Sequence, residues 1–557
     1  MLTWLKGELQ QRYPGYEAEI QIPTDAKLGD YATNLAFVIA KQENKNPLEV
    51  AKEIAGKFQD APEFEKIEAS EPGFVNFFLK QEFLQQKLEE LYKTGGFKES
   101  SLDKDKKVIV EYSAPNIAKP MHVGHLRSTV IGAALANIYE YLGYEVVRWN
   151  YIGDWGTQFG KLIVAYKKWN DPKAFEKEPI QEMVRLYVKF HQELEGSPAL
   201  EDEAREEFRK LEQGDKENRN LWGQFKELSL EEFQKMYQLL GVSFDETKGE
   251  SDYEKLLLDI TSMLDKQGLL KESEGAKIVE LPDLPPALIQ KADGASLYIT
   301  RDIASLQDRI KRHHPHKILY VVANQQALHF QQLFAIAQML GWTDVELAHV
   351  KYGLVLGEDG KKFSTREGNA VPLEEVIEKI TALATEVVKQ KNPQLSESEV
   401  KEIAQAVGIG ALKYNDLKQH PYSDIVFDWK AMLDLSGNSG PYIQYTYARL
   451  NHILEKAGKP NTNEVSELDT IEERLLMKHL LDFQNAVEHS AELYTANALA
   501  LYLYELANYA NRFYELHRVL EDENKNRQQA RLVLVATVAN VLKQGLELLG
   551  IKAIERV

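Results

Sequence analysis

The sequence predicts an α/β chain in three parts: a parallel-sheet nucleotide fold, a small α/β unit before it and an all-α bundle after it. Three observations carry this. The β-branched run Val108-Ile109-Val110 leads through a loop into a helical pattern over Leu126–Leu142, the opening half of a βαβ unit. The continuous apolar run Ile318–Val322 has the character of a central parallel strand. From about residue 400 the pattern is helical to the end.

Length and composition bound the rest. At 557 residues the chain has room for about three or four domains with substantial cores. It has no cysteine, which excludes disulfides and thiolate-bound zinc and fits a reducing cytosol. The first residues lack the apolar core of a signal peptide. The most apolar stretch, Leu532–Leu542, is too short to span a bilayer and reads as a core helix, so no membrane role is expected. The net charge of −19 argues against a generic nucleic-acid coat but not against an RNA substrate, which needs only a local basic face.

In chain order, residues 1–100 form the small α/β unit. Gly29–Phe37 leads into a helix through Lys41, and Glu71-Pro72-Gly73 turns into the strand Phe74–Leu79. Period two places Val75, Phe77 and Leu79 on one face and Phe74, Asn76 and Phe78 on the other. An outward aromatic and amide suit stacking and reading a splayed base, whereas a strand buried on both faces has the same pattern. The linker falls near 100–105, and the central domain spans 105–400. Within it, Glu111-Tyr-Ser-Ala-Pro-Asn116-Ile-Ala-Lys119-Pro-Met-His122-Val-Gly124-His125-Leu-Arg-Ser128 bridges strand and helix. His122 and His125 share a face of the first helical turn, where free N–H groups suit a phosphate. Gly124 leaves room for a flat ring. Asp154 lies in a glycine-rich turn and receives no role.

Residues 165–285 read as a charged helical insertion, with Ser229-Leu-Glu-Glu232 as a capping box for a helix ending at Gly241. Ser296–Asp302 reads as a returning strand, with Asp302 at its end, and Ile318–Val322 leads to Asn324-Gln-Gln326. Ligands of parallel sheets bind beyond the carboxyl ends of the strands, so Glu111–Asn116, Tyr298–Asp302 and Asn324–Gln326 converge there. His349–Leu356 is a further strand, followed by the polar loop 357–368 with Lys361, Lys362, Ser364, Thr365 and Arg366, a phosphate clamp or an exposed turn. The bundle occupies 405–557. On its helix from Asn438, Tyr442, Tyr445 and Arg449 share a face, which suits a base or phosphate as well as it suits an aromatic core stripe.

The string from Ser113 to Ser128 resembles the HIGH signature of class I aminoacyl-tRNA synthetases, in the context found in the arginyl-tRNA synthetase family. Lys362-Phe-Ser364-Thr365-Arg366 resembles the second signature, KMSKS, with Thr365 where the pattern has its second lysine. The likeness runs from Gly29 to Arg556. It implies a class I Rossmann-type catalytic domain, an N-terminal domain touching the tRNA D-loop through Phe74 and Asn76, and a C-terminal anticodon-binding bundle in which Tyr442, Tyr445 and Arg449 meet tRNA. The implied reaction activates L-arginine with ATP to arginyl-adenylate and pyrophosphate, then transfers arginine to the terminal adenosine of tRNA-Arg. The implied ATP site is His122, Gly124, His125, Lys362 and Ser364, with Mg²⁺ accompanying ATP. Lys119 replaces the missing lysine charge. Glu111 and Asp302 grip the guanidinium, Tyr298 covers it, and Asn116, His122 and Gln326 hold the amino-acid end. A cytoplasmic monomer is the family's habit. Two other readings are an HxGH nucleotidyltransferase of another kind, which leaves the helical C-terminus unexplained, and a non-catalytic RNA-binding relative, against which both signatures count.

Overall fold

The computed structural model describes residues 1–23, 25–98, 103–291, 298–363, 371–461 and 464–556. The N-terminal unit holds α1 (Leu2–Arg12), β1 (Ile20–Gln21), β2 (Tyr31–Thr33), α2 (Leu35–Glu43), α3 (Pro47–Lys57), β3 (Phe64–Ser70), β4 (Phe74–Leu79) and α4 (Gln81–Thr94). Its antiparallel sheet runs β1-β2-β4-β3. As period two predicts, Val75, Phe77 and Leu79 are fully buried, and the core against α2 and α3 explains why.

The central domain is organised by β5 (Lys107–Glu111), α5 (Val123–Tyr141), β6 (Glu145–Ile152) and α6 (Thr157–Trp169). Then come α7 (Pro172–Lys177), α8 (Pro179–Gly196), α9 (Ala199–Glu212), α10 (Lys216–Leu240), β7 (Glu246–Gly249) and α11 (Leu257–Lys266). A small antiparallel sheet of β8 (Leu270–Ser273), β9 (Ala276–Leu281) and β10 (Leu284–Gln290) follows. The fold closes with α12 (Tyr298–His313), β11 (Lys317–Ala323), α13 (Ala327–Met339), β12 (Glu346–Tyr352), β13 (Val355–Leu356) and α14 (Leu373–Lys391). The main sheet is parallel throughout, in the order β12-β11-β5-β6-β7. The chain leaves β5 toward β6 and returns on its other side at β11. The topological switch, and with it the ligand crevice, lies beyond the carboxyl ends of β5 and β11.

Four expectations are corrected here. Tyr298–Asp302 is not a strand, and Ser296 and Leu297 lie outside the described residues: from Tyr298 the chain is α12, because Ile299, Ile303 and Leu306 recur at helical spacing and are all buried. Ser229 caps nothing: α10 starts at Lys216, capped by the Asp215 carboxylate on the Asn218 N–H, and passes straight through Ser229 to a left-handed Gly241. The stretch 165–285 is not helical throughout, since β7 joins the main sheet and β8–β10 form their own. The strand at His349–Leu356 breaks at Gly353, where a Cβ would run into Ser423 and Asp424, and β13 pairs instead with β14 (Ile425–Val426).

The C-terminal part comprises α15 (Glu397–Leu417), α16 (Trp429–Met432), α17 (Gly440–Ala457), α18 (Ile471–Leu480), α19 (Phe483–Glu492), α20 (Asn497–Leu516) and α21 (Lys525–Leu548). Helix α15 runs unbroken across residues 400–405. The apolar run in α21 is buried in the bundle. Among the described residues no helix is long and apolar enough to cross a membrane.

Candidate active site

The loop between β5 and α5 carries the signature, and α5 begins on its histidines. The Gly124 N–H donates to His122 Nδ1 (3.0 Å) and the His122 N–H donates to His125 Nδ1 (3.1 Å). Each ring thus caps the helix end, and the two rings stack with centroids 3.8 Å apart. An Nδ1 that accepts leaves the proton of a neutral imidazole on Nε2. Burial, then the His122 ring, depresses His125 to about 3. Burial, then the Lys362 and Lys119 ammoniums, lowers His122 as well. The pair is therefore neutral near pH 7, a set of N–H donors at a helix N-terminus that asks for an anion. Gly124 has no room for a Cβ, which would sit 2.9 Å from the His122 ring. The flat ring beside it is the protein's own.

The Lys362 and Lys119 ammoniums both act on His122 electrostatically. Both are exposed. Lys119 Nζ lies 4.9 Å from the centre of the Tyr187 ring on α8. Lys362 follows a tight turn in which the Gly357 N–H donates to Lys361 O (2.8 Å) and Gly360 takes a positive φ. Ser364, assigned to ATP, lies outside the described residues, as do Thr365 and Arg366. Past that gap the Val123 N–H donates to Val371 O (3.1 Å) and the Leu373 N–H to Met121 O (2.9 Å). The second loop is thereby sewn to the first. Arg127, one turn into α5, adds a buried bond to Asp416 on α15 (3.1 Å), and its guanidinium also donates to Ser423 O and Pro421 O.

The amino-acid end of the crevice differs from expectation. Glu111 does end β5, but it is buried against the guanidinium of Arg309 on α12. Arg309 is itself enclosed by Trp149, Tyr320 and Tyr151, at 4.6, 5.4 and 5.6 Å from the ring centres. Burial pushes the Glu111 carboxyl up, with Arg309 opposing. Its position as a free acid for a substrate is thus corrected: an internal cation already fills it. Asp302 projects from the first turns of α12, is partly exposed, and bonds His329 Nε2 at 2.5 Å. Burial opposes the charge on His329, yet the bond to Asp302 carries its pKa above the ordinary value.

A second acid, Glu250, which sequence reasoning missed, feels the charge of Asp302. Burial, with Asp302 adding and Arg301 opposing, pushes Glu250 up to about 8. Tyr151, whose hydroxyl is buried with no hydrogen-bond partner among the described residues, feels both acids, and Tyr298 feels Glu250. Glu250 follows the short polar strand β7, whose one β-branched residue is Thr247 and which has no apolar alternation. Only the pairing of Trp149–Ile152 with Glu246–Gly249 shows that it ends a sheet strand at the crevice. Tyr298 is 56% exposed and able to close over a ligand. Asn116 and Gln326 are also exposed at the strand ends, Asn116 bridged to Gly153. Asp154, left without a role, is fully buried, accepts from the Ser251 N–H (2.9 Å) and Ser251 Oγ (2.7 Å), and pairs with Lys226 on α10 (2.6 Å). No group of three or more histidines and acids that could hold a metal occurs among the described residues.

Of the RNA-contact candidates, Phe74 is partly exposed and packs edge-on against Phe37, but Asn76 is 2% exposed and bonds Ser70 Oγ at 3.2 Å. Its outward exposure is corrected: Asn76 sits in register between Ala32 on β2 and Glu68 on β3, with its amide turned onto Ser70. Tyr442, Tyr445 and Arg449 share the half-buried face of α17 toward α20. The Tyr442 hydroxyl donates to Asn508 (2.7 Å), and Arg449 donates to Asn511 (2.7 Å) beneath the Tyr514 ring.

Comparison with known proteins agrees with this geometry. The family model described as tRNA synthetases class I (R), catalytic domain, matches residues 87–429. The chain belongs to the arginyl-tRNA synthetase family. The model of the arginyl-tRNA synthetase N-terminal domain matches 3–79 of this synthetase, and that of the DALR anticodon-binding domain matches 443–557. The arginine–tRNA ligase of Fusobacterium nucleatum is 42% identical over 545 residues, 97% of this chain and 95% of that one. That of Clostridium acetobutylicum is 42% identical over 543 residues, 96% and 95% of the two. Among solved structures, the Thermus thermophilus arginyl-tRNA synthetase superposes with a TM-score of 0.86 at 27% identity, over 99% of this synthetase and 98% of that chain. The Plasmodium falciparum enzyme gives 0.85 at 28% identity, over 100% and 98%.

Proposed function

We propose that the chain ligates arginine to tRNA-Arg in two steps. The arginine carboxylate attacks the α-phosphorus of ATP, forming arginyl-adenylate and releasing pyrophosphate. The 2′-hydroxyl of the terminal adenosine then attacks the acyl carbon, its proton leaves, and AMP departs. What supports the reading is the neutral two-histidine helix cap past the end of β5, together with two acids, Asp302 and Glu250, that act on one another electrostatically near the ends of the same sheet. The cap suits phosphate and the acids a cation. The stacked imidazoles donate through Nε2 to phosphate oxygens, and Lys119 and Lys362 flank them as the charge on the leaving pyrophosphate grows. Ser364 would join them. Mg²⁺ would arrive on the phosphates of ATP, since it is commonly held by substrate oxygens and water. Asp302 and Glu250 take the guanidinium, Tyr298 covers its flat face, and Asn116 and Gln326 hold the amino and carboxylate groups. In the bundle, Tyr442, Tyr445 and Arg449 offer a tRNA-facing strip, and Phe74 a stacking ring. A cytoplasmic monomer is part of the same reading, as are the domain limits near 100 and 400.

Arginine-dependent ATP–pyrophosphate exchange tests it. Exchange is expected with arginine and not with lysine, and only when tRNA-Arg is present. Exchange supported by lysine as well as by arginine contradicts the assignment.

Two variants probe the ends of the crevice. Lys119→Met is expected to lower the turnover of activation about tenfold to a thousandfold, the usual loss for one stabiliser of developing charge. An unchanged turnover returns Lys119 to a solvated loop residue. At the other end, Glu250 titrates near 8 in the free protein and binds a cation only as the carboxylate. Arginine therefore displaces a proton. Its KM is expected to fall by up to about tenfold per unit as pH rises from 6.5 toward 8, then level off. Glu250→Gln flattens that dependence. A KM that rises with pH, or an undiminished slope in the variant, places the proton elsewhere.

A further inference from the structure

Three non-glycine residues of the signature loop sit in the left-handed region: Ser113 (φ 73°), Ala114 (φ 48°) and Ala118 (φ 62°). Such backbone persists only where the surroundings over-determine it. The groups that do so come from α5, where Ser128 Oγ accepts the Ser113 N–H (2.9 Å) and Thr129 Oγ1 donates to Ser113 Oγ (3.0 Å), from Asn150 on β6, and from α10, a helix outside the parallel sheet. Tyr237 Oη lies 2.8 Å from Ser113 Oγ and accepts from Asn150 Nδ2 (3.1 Å). Asn150 Oδ1 in turn accepts the Ala114 N–H (3.2 Å). Two turns earlier, Ser229 Oγ accepts the Ala118 N–H at 2.8 Å and donates its own proton to Phe225 O at 2.6 Å. Further toward its start, Trp222 Nε1 donates to Asp154 O (2.8 Å) and Lys226 pairs with the Asp154 carboxylate. Residues 222, 226, 229 and 237 follow helical spacing, so one face of α10 braces the signature loop through Ser229 and Tyr237 and the neighbouring Asp154 turn through Trp222 and Lys226.

Ser229 is 0% exposed and Tyr237 3%, so neither touches a substrate. A hydroxyl is the one small group that can satisfy both Phe225 O and the Ala118 N–H at that point. Ala118 immediately precedes Lys119, and Asn116 lies two residues before it. Whatever fixes the Ala118 amide sets the direction in which Lys119 leaves the loop.

We propose that Ser229 and Tyr237 of α10 are positioning residues for activation, holding the signature loop in its left-handed turns so that Lys119 and Asn116 face the crevice. The proposal rests on the adenylation reading above for its kinetic consequence, but not for its structural one. Ser229→Ala leaves the Ala118 N–H buried without an acceptor, and Tyr237→Phe removes the hydroxyl from Ser113 while keeping the ring.

The test combines hydrogen exchange of the full chain, read on a peptide covering 113–121, with steady-state kinetics. Ser229→Ala is expected to exchange faster in that peptide, and its kcat for arginine activation to fall about 10- to 100-fold, the usual consequence of an ångström-scale misplacement. The KM values for ATP and arginine should change less than about threefold, since the loss falls on the transition state. Tyr237→Phe should change both readouts in the same direction and by less. It carries the test alone if Ser229→Ala does not fold. Wild-type kcat in the folded variants, or unchanged exchange at 113–121, overturns the proposal. A wild-type enzyme that does not activate arginine, with faster exchange in Ser229→Ala, overturns the adenylation reading and leaves the loop's support by α10 standing.

Discussion

Asp302→Asn is expected to raise the KM for arginine by about a hundredfold to a thousandfold while leaving that for ATP nearly unchanged. A guanidinium presents paired donors that match carboxylates two bonds at a time. Removing the charge leaves the guanidinium with one carboxylate, Glu250, where it had two, and truncating one partner of such a charge pair costs several kcal/mol, about 4 for a thousandfold. The His329 imidazole, 2.5 Å from Asp302, competes with the incoming guanidinium for the same carboxylate, which favours the lower end of that range. Steady-state measurement with each substrate varied in turn decides it. A rise in the ATP KM with that for arginine intact would place the two substrates the wrong way round.

Glu111→Gln is expected to act on stability. Arg309 is 1% exposed and Glu111 4%, so the variant strands a guanidinium inside the aromatic cage of Trp149, Tyr151 and Tyr320. Breaking such a pair from one side costs about 3–5 kcal/mol. The double variant Glu111→Gln with Arg309→Met removes the stranded charge and should recover a large part of the loss. Denaturant unfolding of the three proteins measures this. A single variant of undiminished stability with a steeply raised arginine KM would instead restore Glu111 to the pocket.

How far the sequence carries the account differs from element to element. The β5–α5 unit was legible because its strand is β-branched, its loop has two prolines, and its helix starts where free N–H groups are needed. Tyr298–Asp302 reads as a strand because Leu297-Tyr-Ile-Thr300 is aromatic and β-branched over four residues. The helical spacing of Ile299, Ile303 and Leu306 appears only over a longer window. Glu250 was invisible, since nothing in Glu246–Gly249 marks a strand until it pairs with β6. Ser229 and Glu232 have the spacing of a capping box, but Asp215 wins the cap because the helical pattern simply continues between them. Contacts such as Arg127 with Asp416 span 289 residues, and no local pattern announces them.

The central claim is that the crevice between the stacked histidines and the acid pair joins arginine to tRNA. Aminoacylation of tRNA-Arg by the purified chain, with ATP and labelled arginine or lysine, tests it most directly. The account predicts acid-precipitable arginyl-tRNA, formed with ATP converted to AMP and pyrophosphate, and a kcat/KM for lysine lower by about a thousandfold or more. Absence of arginyl-tRNA with fully folded enzyme and cognate tRNA, or comparable charging with lysine, would contradict it.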